Sequence, residues 1–338
     1  TFSQFPLWTP YYCGGNVLLA NPQSPYFSPF FVFVLLFGAV VGLKIEALVY
    51  LALGLVGTFL AAKRIGCSRS AAVFAAVAFM FGSWFAARIA AGHTTFFPFA
   101  LLPFVFLFYL NSASAEGLAH RIRWVAAAAA VLALMFLSGG IYPFYAAVAF
   151  LAFYSLLDAL AAKRLAPVLV VAAILALALL LSSVKLLPVL DFTSGIGAEK
   201  DVQLISAKIV FKSLVSREQS LVGNDVETGR DLVPEGRQKE LAALAGKVAW
   251  GWHEYSAYVG LISLLLAALS LIILKKTWKL MASAVFFLAV ALGNYLPFGP
   301  WQLLRELPFF SSLHGPSRFM VVFVFLVSLL AAKSLSSL

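Results

Sequence analysis

Charged residues are scarce in this chain: Asp, Glu, Lys and Arg together make up 11% of its 338 residues. About a quarter of the residues are charged in an ordinary soluble domain. The apolar share is 62%, and it includes 32 phenylalanines. Because so few polar side chains are available to cover a surface in water, the composition excludes an ordinary soluble enzyme and predicts an integral membrane protein.

Cysteines and the common nucleotide-binding motifs are also rare or absent. The two cysteines are too few for a disulfide framework or a metal cluster. The chain has no P-loop, GxGxxG, HExxH or CxxC motif, so soluble ATPase and nucleotide-dehydrogenase chemistry has no support. No motif identifies a metal site or a cofactor. The motifs do not decide whether the protein also binds a divalent metal ion.

Long apolar runs fill most of the chain. About 20 apolar residues cross a bilayer as a helix, and nine runs approach that length. They lie at residues 45–62, 71–90, 96–110, 124–138, 142–161, 165–187, 257–274, 280–295 and 319–336. The apolar run Phe30–Leu43 is shorter, so it predicts a re-entrant or juxtamembrane helix. The predicted fold class is an all-α polytopic membrane protein with about nine transmembrane helices.

The basic residues are distributed unevenly between the loops. With nine spans, one side of the membrane holds eleven Lys and Arg residues but only two acidic residues. Short cytoplasmic loops carry such an excess of positive charge, so residue 1 is placed outside and residue 338 in the cytoplasm. The net charge of +10 thus reports topology, and no nucleic-acid partner is predicted.

The polar stretches divide the chain into four regions. These are an external first loop with a juxtamembrane helix at 1–44, a first transmembrane part at 45–187, an external loop or cap at 188–256, and a last transmembrane part at 257–338. Within the external cap, the pattern predicts a short strand at Val210–Val215 and a surface helix at Lys239–Lys247.

The stretch from Pro6 to Pro29 differs from the rest of the chain. Its five prolines and Gly-Gly pair exclude a continuous helix, and its aromatic rings suit a bilayer surface. Both a ligand-binding loop and a plain interfacial loop fit this pattern. For a ligand-binding loop, the candidate substrate-binding residues are Trp8, Asn21 and Gln23.

Five ionisable residues lie where the predicted external loops meet spans. Arg88 lies at the end of the span 71–90 and His93 follows it, while His314 and Arg318 precede the last span. A guanidinium group can bind two phosphate oxygens at once, and histidines beside it add potentially cationic groups. These four residues are therefore the candidates for binding the donor phosphate. The alternative is that they only anchor the chain at the membrane surface. Glu254, at the end of the external cap, is a further candidate for substrate binding.

A series of short motifs runs along nearly the whole chain. It comprises Pro-Leu-Trp-x-Pro to Ser-Pro over Pro6–Pro29, Arg64-Ile65-Gly66-Cys67-Ser68, Gly92-His93, Ser138-Gly139-Gly140, Leu187-Pro188-Val189-Leu190-Asp191-Phe192-Thr193-Ser194, Glu254-Tyr255-x-x-Tyr258-Val259-Gly260 and Gly315-Pro316-Ser317-Arg318-Phe319. In this order the motifs resemble the YfhO-type bacterial membrane proteins of the GT-C glycosyltransferase superfamily. His314 departs from the resemblance, because the family usually carries arginine there.

The resemblance implies a GT-C-like membrane enzyme of the bacterial cell membrane. Such an enzyme transfers a sugar from a polyprenyl-phosphate carrier to an acceptor in the cell envelope, on the outer face of the membrane. The family's catalytic carboxylate lies upstream of the Trp-x-Pro element, so the resemblance places it before Thr1. The alternatives are a transporter or flippase of lipid-linked sugars and a non-catalytic membrane assembly factor.

Overall fold

The computed structural model of the chain describes residues 7–11, 14–194, 206–219, 252–296, 298–307, 310–311 and 313–338. These residues are mostly helical, and their sheet is a single antiparallel pair of two-residue strands in which Trp8 pairs with Val17.

The elements follow one another along the chain. They are β1 Trp8–Thr9, β2 Asn16–Val17, α1 Phe31–Arg64, α2 Arg69–Met80, α3 Ser83–Ala90, a 3-10 helix Thr94–Leu101, α4 Leu102–Ala113, α5 Leu118–Leu137, α6 Ile141–Ala162, α7 Ala166–Leu181, α8 Ser183–Ser194, α9 Ala207–Val215, a 3-10 helix Trp252–Glu254, α10 Leu261–Leu269, α11 Leu274–Ala291, α12 Pro300–Arg305, a 3-10 helix Pro316–Phe319 and α13 Met320–Leu335.

Six helical stretches among the described residues are long and apolar enough to cross a bilayer. They are Phe31–Arg64, Arg69–Ala90, Thr94–Ala113, Leu118–Leu137, Ile141–Ala162 and Pro316–Leu335. A seventh is the pair α7 and α8, which is bent by 84° and counts if it forms one span. A helical membrane protein, as predicted, is confirmed at this level.

The predicted number of nine spans is not reached among the described residues. The predicted span 257–274 contains α10, which has nine residues. A helix of that length rises about 14 Å, roughly half the thickness of the bilayer's hydrocarbon core. The predicted span 280–295 overlaps α11, whose first two turns carry Lys275, Lys276 and Lys279. Apolar composition alone did not show how short α10 is.

Helix α1 contains a reversal of the chain at Gly38. The backbone there has φ 76° and ψ 168°, a conformation that glycine adopts without strain. A methyl group added at Gly42 would lie 2.5 Å from the Cα atom of Val34. Residues eight apart in a straight helix are about 12 Å apart, so the short helix before Gly38 folds back on the longer one. The run Phe30–Leu43, predicted as re-entrant or juxtamembrane, therefore contains this reversal.

The described chain divides into two compact units, and the division falls within α1. Unit 1 comprises Thr1–Leu53 and Thr94–Gly197, and unit 2 comprises Gly54–His93 and Ala198–Leu338. In unit 1, helices α4 to α7 pack against one another. In unit 2, α13 contacts α2, α10 and α11 and is buried on all sides from Met320 to Ala332. A helix that is apolar all round belongs in such a central position.

The segment predicted as an external cap is described in part. Residues Ala207–Val215, which include the predicted strand Val210–Val215, form helix α9. The Ser206 hydroxyl accepts a hydrogen bond from the Ile209 backbone N–H at 3.2 Å and so begins the helix. The strand prediction was wrong. The β-branched residues Ile209, Val210 and Val215 favour a strand, but the Ser206 cap begins a helix here. The predicted helix Lys239–Lys247 lies outside the described residues.

The turn between α5 and α6 holds the opening stretch of unit 1 by close backbone contact. Gly139 has φ 79°, and a methyl group there would lie 2.3 Å from the carbonyl oxygen of Gln23. We expect Gly139→Ala to lower the stability by more than the 1–2 kcal/mol that a left-handed conformation costs. Gly117→Ala is the matched control, since Gly117 has φ 84° and no heavy atom within 4 Å. An equal fall in the thermal unfolding temperature of both variants would contradict the close contact between Gly139 and Gln23.

Candidate functional site

A buried cluster of three charged side chains lies in unit 2. The Arg88 guanidinium donates through Nη2 to Oε2 of Glu254 at 2.8 Å. The Arg318 guanidinium donates through Nε to Oε2 and through Nη2 to Oε1 of the same carboxylate, both at 3.1 Å. Arg88 and Glu254 are 0% and 1% exposed, and Arg318 is 9% exposed. One carboxylate thus holds two guanidinium groups together away from water.

Three separate segments bring these side chains to one place. Arg88 lies in the last turn of the short helix α3, and Glu254 ends the 3-10 helix Trp252–Glu254. Arg318 lies in the 3-10 helix Pro316–Phe319, directly before the buried helix α13. Arg88 also lies over the ring of Trp84, with its Cζ atom 5.2 Å from the ring centroid. The aromatic face offers the buried cation a favourable apolar surface.

Helix α3 is positioned by a break in the helical chain. The backbone N–H of Ser83 donates to the carbonyl of Tyr258 at 2.8 Å, and the Tyr258 N–H donates to the Ser83 hydroxyl at 2.7 Å. Tyr258 belongs to the extended segment that leads from Glu254 to α10. The freed backbone groups are therefore satisfied within the protein, and the same pairing ties the Arg88 helix to the Glu254 segment.

Two histidines border the charged cluster. Nη1 of Arg88 lies 3.4 Å from Nδ1 of His93. Because arginine can only donate, Nδ1 of His93 is the acceptor in this contact and its proton resides on Nε2. The ring of His253 meets that of His93 edge to face, with the centroids 4.6 Å apart. Both rings are half-buried.

The electrostatics keep the two imidazoles neutral and the carboxylate ionised. Burial and the positive charge of Arg88 lower the pKa of both His93 and His253 below the usual value of 6.5. Burial alone would raise the pKa of Glu254, but the hydrogen bonds and charges of Arg88 and Arg318 outweigh it and lower that pKa to about 2. At neutral pH the cluster therefore carries a net charge of +1.

A metal ion is a weaker interpretation of the same residues. His93, His253 and Glu254 each place one potential ligand atom within 4.8 Å of the others, and neutral imidazole and carboxylate do bind divalent metals. However, both Glu254 oxygens already accept hydrogen bonds from guanidinium groups. A divalent cation would have to displace these donors against two positive charges, so the arrangement favours an anion.

The structure brings together three of the four predicted phosphate-binding residues and the predicted substrate-binding residue Glu254. Arg88, His93 and Arg318 all border or enter the cluster. His314 lies half-buried in the segment that precedes Pro316. His253 was missed by the sequence analysis, although its position next to Glu254 was the signal that would have pointed to it.

The three predicted substrate-binding residues of the opening stretch lie in unit 1. Trp8 is 56% exposed in β1, and its ring covers Gly15, where a methyl group would be 2.3 Å from the ring. Asn21 is half-buried, and its side-chain oxygen accepts from the Gln23 backbone N–H at 2.8 Å. The Gln23 side chain is exposed. Asn21 thus shapes a turn, whereas Trp8 and Gln23 present side chains at the surface.

A second residue missed by the sequence analysis is Lys185, which fixes this turn. It is fully buried, and its ammonium donates to the carbonyls of Pro22, Ser24 and Phe136 at 3.0, 2.7 and 3.1 Å. A single lysine inside the apolar run 165–187 was the available signal, because an ionisable group inside such a run needs a partner.

Comparisons with known proteins do not assign the chain to a family. No family model, no curated protein and no solved structure matches it.

Proposed function

We propose that this protein is a membrane glycosyltransferase that takes a sugar from a polyprenyl-phosphate donor and passes it to an acceptor at the outer face of the membrane. The observation that carries the proposal is the buried Arg88–Glu254–Arg318 cluster with its two neutral histidines. A lipid-linked donor suits the chain because its tail can stay among the apolar helices while its phosphate reaches a polar cluster. The resemblance to YfhO-type GT-C proteins agrees with this proposal.

The residues of the cluster have different roles in the proposed reaction. The two half-buried imidazoles and the small exposed part of Arg318 are the groups that an incoming phosphate meets, because Arg88 and Glu254 are only 0% and 1% exposed. Hydrogen bonds from guanidinium and imidazole N–H groups stabilise the negative charge that grows on the leaving phosphate. Glu254 holds both guanidinium groups in place. With a pKa of about 2, it is too weak a base to deprotonate an acceptor hydroxyl.

Replacement of Arg318 tests the proposed donor site. We expect Arg318→Ala to lower sugar transfer roughly 10- to 100-fold, since a hydrogen bond to a charged group contributes about 1.5–3 kcal/mol. Arg318→Lys should retain part of the rate, because lysine keeps the charge but loses the planar pair of donors. The measurement is release of polyprenyl phosphate from a labelled polyprenyl-phosphate sugar by the purified protein in lipid vesicles.

The matched control is Arg121→Ala, which removes an exposed arginine from α5 in unit 1. This variant should transfer sugar at the rate of the wild type. Equal transfer by Arg318→Ala and the wild type would remove Arg318 from the donor site.

A lipid-linked sugar transporter is the second candidate, and the broken helices favour it. Helices α2 and α3 are interrupted at Gly82, and α7 and α8 meet at 84°. Transporters often bind their substrates where helices are interrupted. In the same vesicles, movement of the labelled donor to the opposite leaflet without release of polyprenyl phosphate would support the transporter and overturn the transferase.

A further inference from the structure

Unit 1 contains a buried carboxyl group that the proposed donor site does not use. Glu46 lies on α1 and is 5% exposed. One turn further on, Tyr50 is 2% exposed. Gly42, Glu46 and Tyr50 are spaced by four residues and form a buried stripe on a helix whose other faces are largely exposed. Glu46 therefore points towards the interior of the protein.

The Glu46 carboxyl makes no hydrogen bond or ion pair among the residues that the structure describes. Of the two lysines that could be considered, Lys44 is exposed, two residues away on α1. Lys185 donates its ammonium to the three backbone carbonyls. Tyr50, four residues further along the same face of α1, is uncharged at neutral pH and so offers no positive charge to an ionised Glu46.

The elements packed around Tyr50 supply hydroxyl groups and aromatic rings. The Tyr50 hydroxyl is buried beside the hydroxyls of Ser28 and Ser138 without a well-aligned hydrogen bond. The Ser138 hydroxyl donates to the Ser28 hydroxyl at 3.0 Å. The rings of Phe30 and Phe97 lie 4.8 and 6.2 Å from that of Tyr50. None of these four neighbours carries a charge that would offset an ionised Glu46.

The burial of Glu46 and its lack of a partner among the described residues favour the neutral form of the carboxyl group. An isolated carboxylate away from water is very costly, and such a group becomes neutral instead. A carboxyl group inside a membrane helix marks a proton pathway in many pumps and transporters.

We propose that Glu46, on the buried stripe that it shares with Tyr50, is a proton-binding site in unit 1, whose ligand is the proton carried by the Glu46 carboxyl group. This site is independent of the cluster around Glu254 and extends beyond the proposed sugar transfer, so either proposal can fail alone.

Infrared difference spectra of the purified full chain test the site. Subtracting the spectrum of Glu46→Gln from that of the wild type at neutral pH should show the carbonyl band of one protonated carboxylic acid. The matched control is Glu116→Gln, which removes an exposed carboxylate and should show the loss of a carboxylate band instead. A carboxylate band in the Glu46→Gln difference would overturn the proposal.

A second measurement uses the wild type and so does not depend on the folding of a variant. A hydrophobic carbodiimide takes the proton of a protonated carboxyl group on one nitrogen, while the carboxyl oxygen adds to its central carbon. The O-acylisourea then rearranges to a stable N-acylurea, and no atom leaves. We expect mass spectrometry to find this adduct on Glu46 at neutral pH. Labelling of Glu46 only after acidification would show that the reagent reaches an ionised group, and would overturn the proposal.

Discussion

Replacing Glu254 by glutamine will destabilise unit 2 by about 3–5 kcal/mol, because breaking a buried ion pair leaves its partners uncompensated. In this protein two buried cations, Arg88 and Arg318, lose their common partner. An amide can accept one of their hydrogen bonds, but it carries no charge. Thermal unfolding of the detergent-solubilised protein measures the effect.

The matched control for this prediction is Glu306→Gln, since the Glu306 side chain is exposed at the end of α12. An exposed carboxylate contributes little to stability, so this variant should unfold at the same temperature as the wild type. If Glu254→Gln unfolds at the same temperature as the wild type, the two arginines do not depend on Glu254 for their charge balance.

The same carboxylate makes the stability depend on acid. Its pKa is about 2 in the folded protein against an ordinary value of 4.5. A carboxyl group whose pKa is lowered in the folded state stabilises the fold. This stabilisation is complete above the unfolded pKa and is lost as the pH falls through the folded pKa. We expect the wild type to lose stability relative to Glu254→Gln between about pH 4.5 and pH 2. Parallel acid unfolding curves for the two proteins would contradict the lowered pKa.

The residues of the cluster could be selected from the sequence, but their pairing could not. Arg88, Glu254 and Arg318 are costly at membrane boundaries, which identified them as candidates. The pairs are separated by 166 and 64 residues, and no local pattern encodes contacts over such distances. The role of Glu254 also changed for this reason: it was a candidate for substrate binding, and its contacts make it the residue that positions two arginines.

The fold was predictable to the level of apolar helices and no further. Composition identifies a helix that can enter a membrane, because burial of apolar surface decides its environment. It does not reveal where a helix is interrupted. The reversal at Gly38 brings the backbones of Val34 and Gly42 together, and the apolar run 257–274 does not show that α10 ends at Leu269. The two-residue strands at Trp8 and Asn16 are likewise too short to leave a pattern.

Lys185→Met will release the opening stretch of unit 1 from α8. Methionine matches the length and apolar stem of lysine but cannot donate hydrogen bonds. The Pro22 and Ser24 carbonyls then lose their shared donor, at roughly 1–3 kcal/mol for each buried group left unpaired. Part of this cost is offset, because the variant no longer buries an ammonium group. Thermal unfolding should therefore occur at a clearly lower temperature than in the wild type.

Hydrogen exchange separates this local release from a general loss of stability. The backbone N–H groups of Ser24 and Ser28 donate to the carbonyls of Asn21 and Pro25 in two consecutive turns of this stretch. In Lys185→Met they should exchange much faster than those of α6, because the turn is then free to open while the helices stay packed. Lys44→Met replaces an exposed lysine of α1 and should leave both rates unchanged. Equal acceleration in the turn and in α6 would show that Lys185 supports unit 1 as a whole and does not specifically hold the turn.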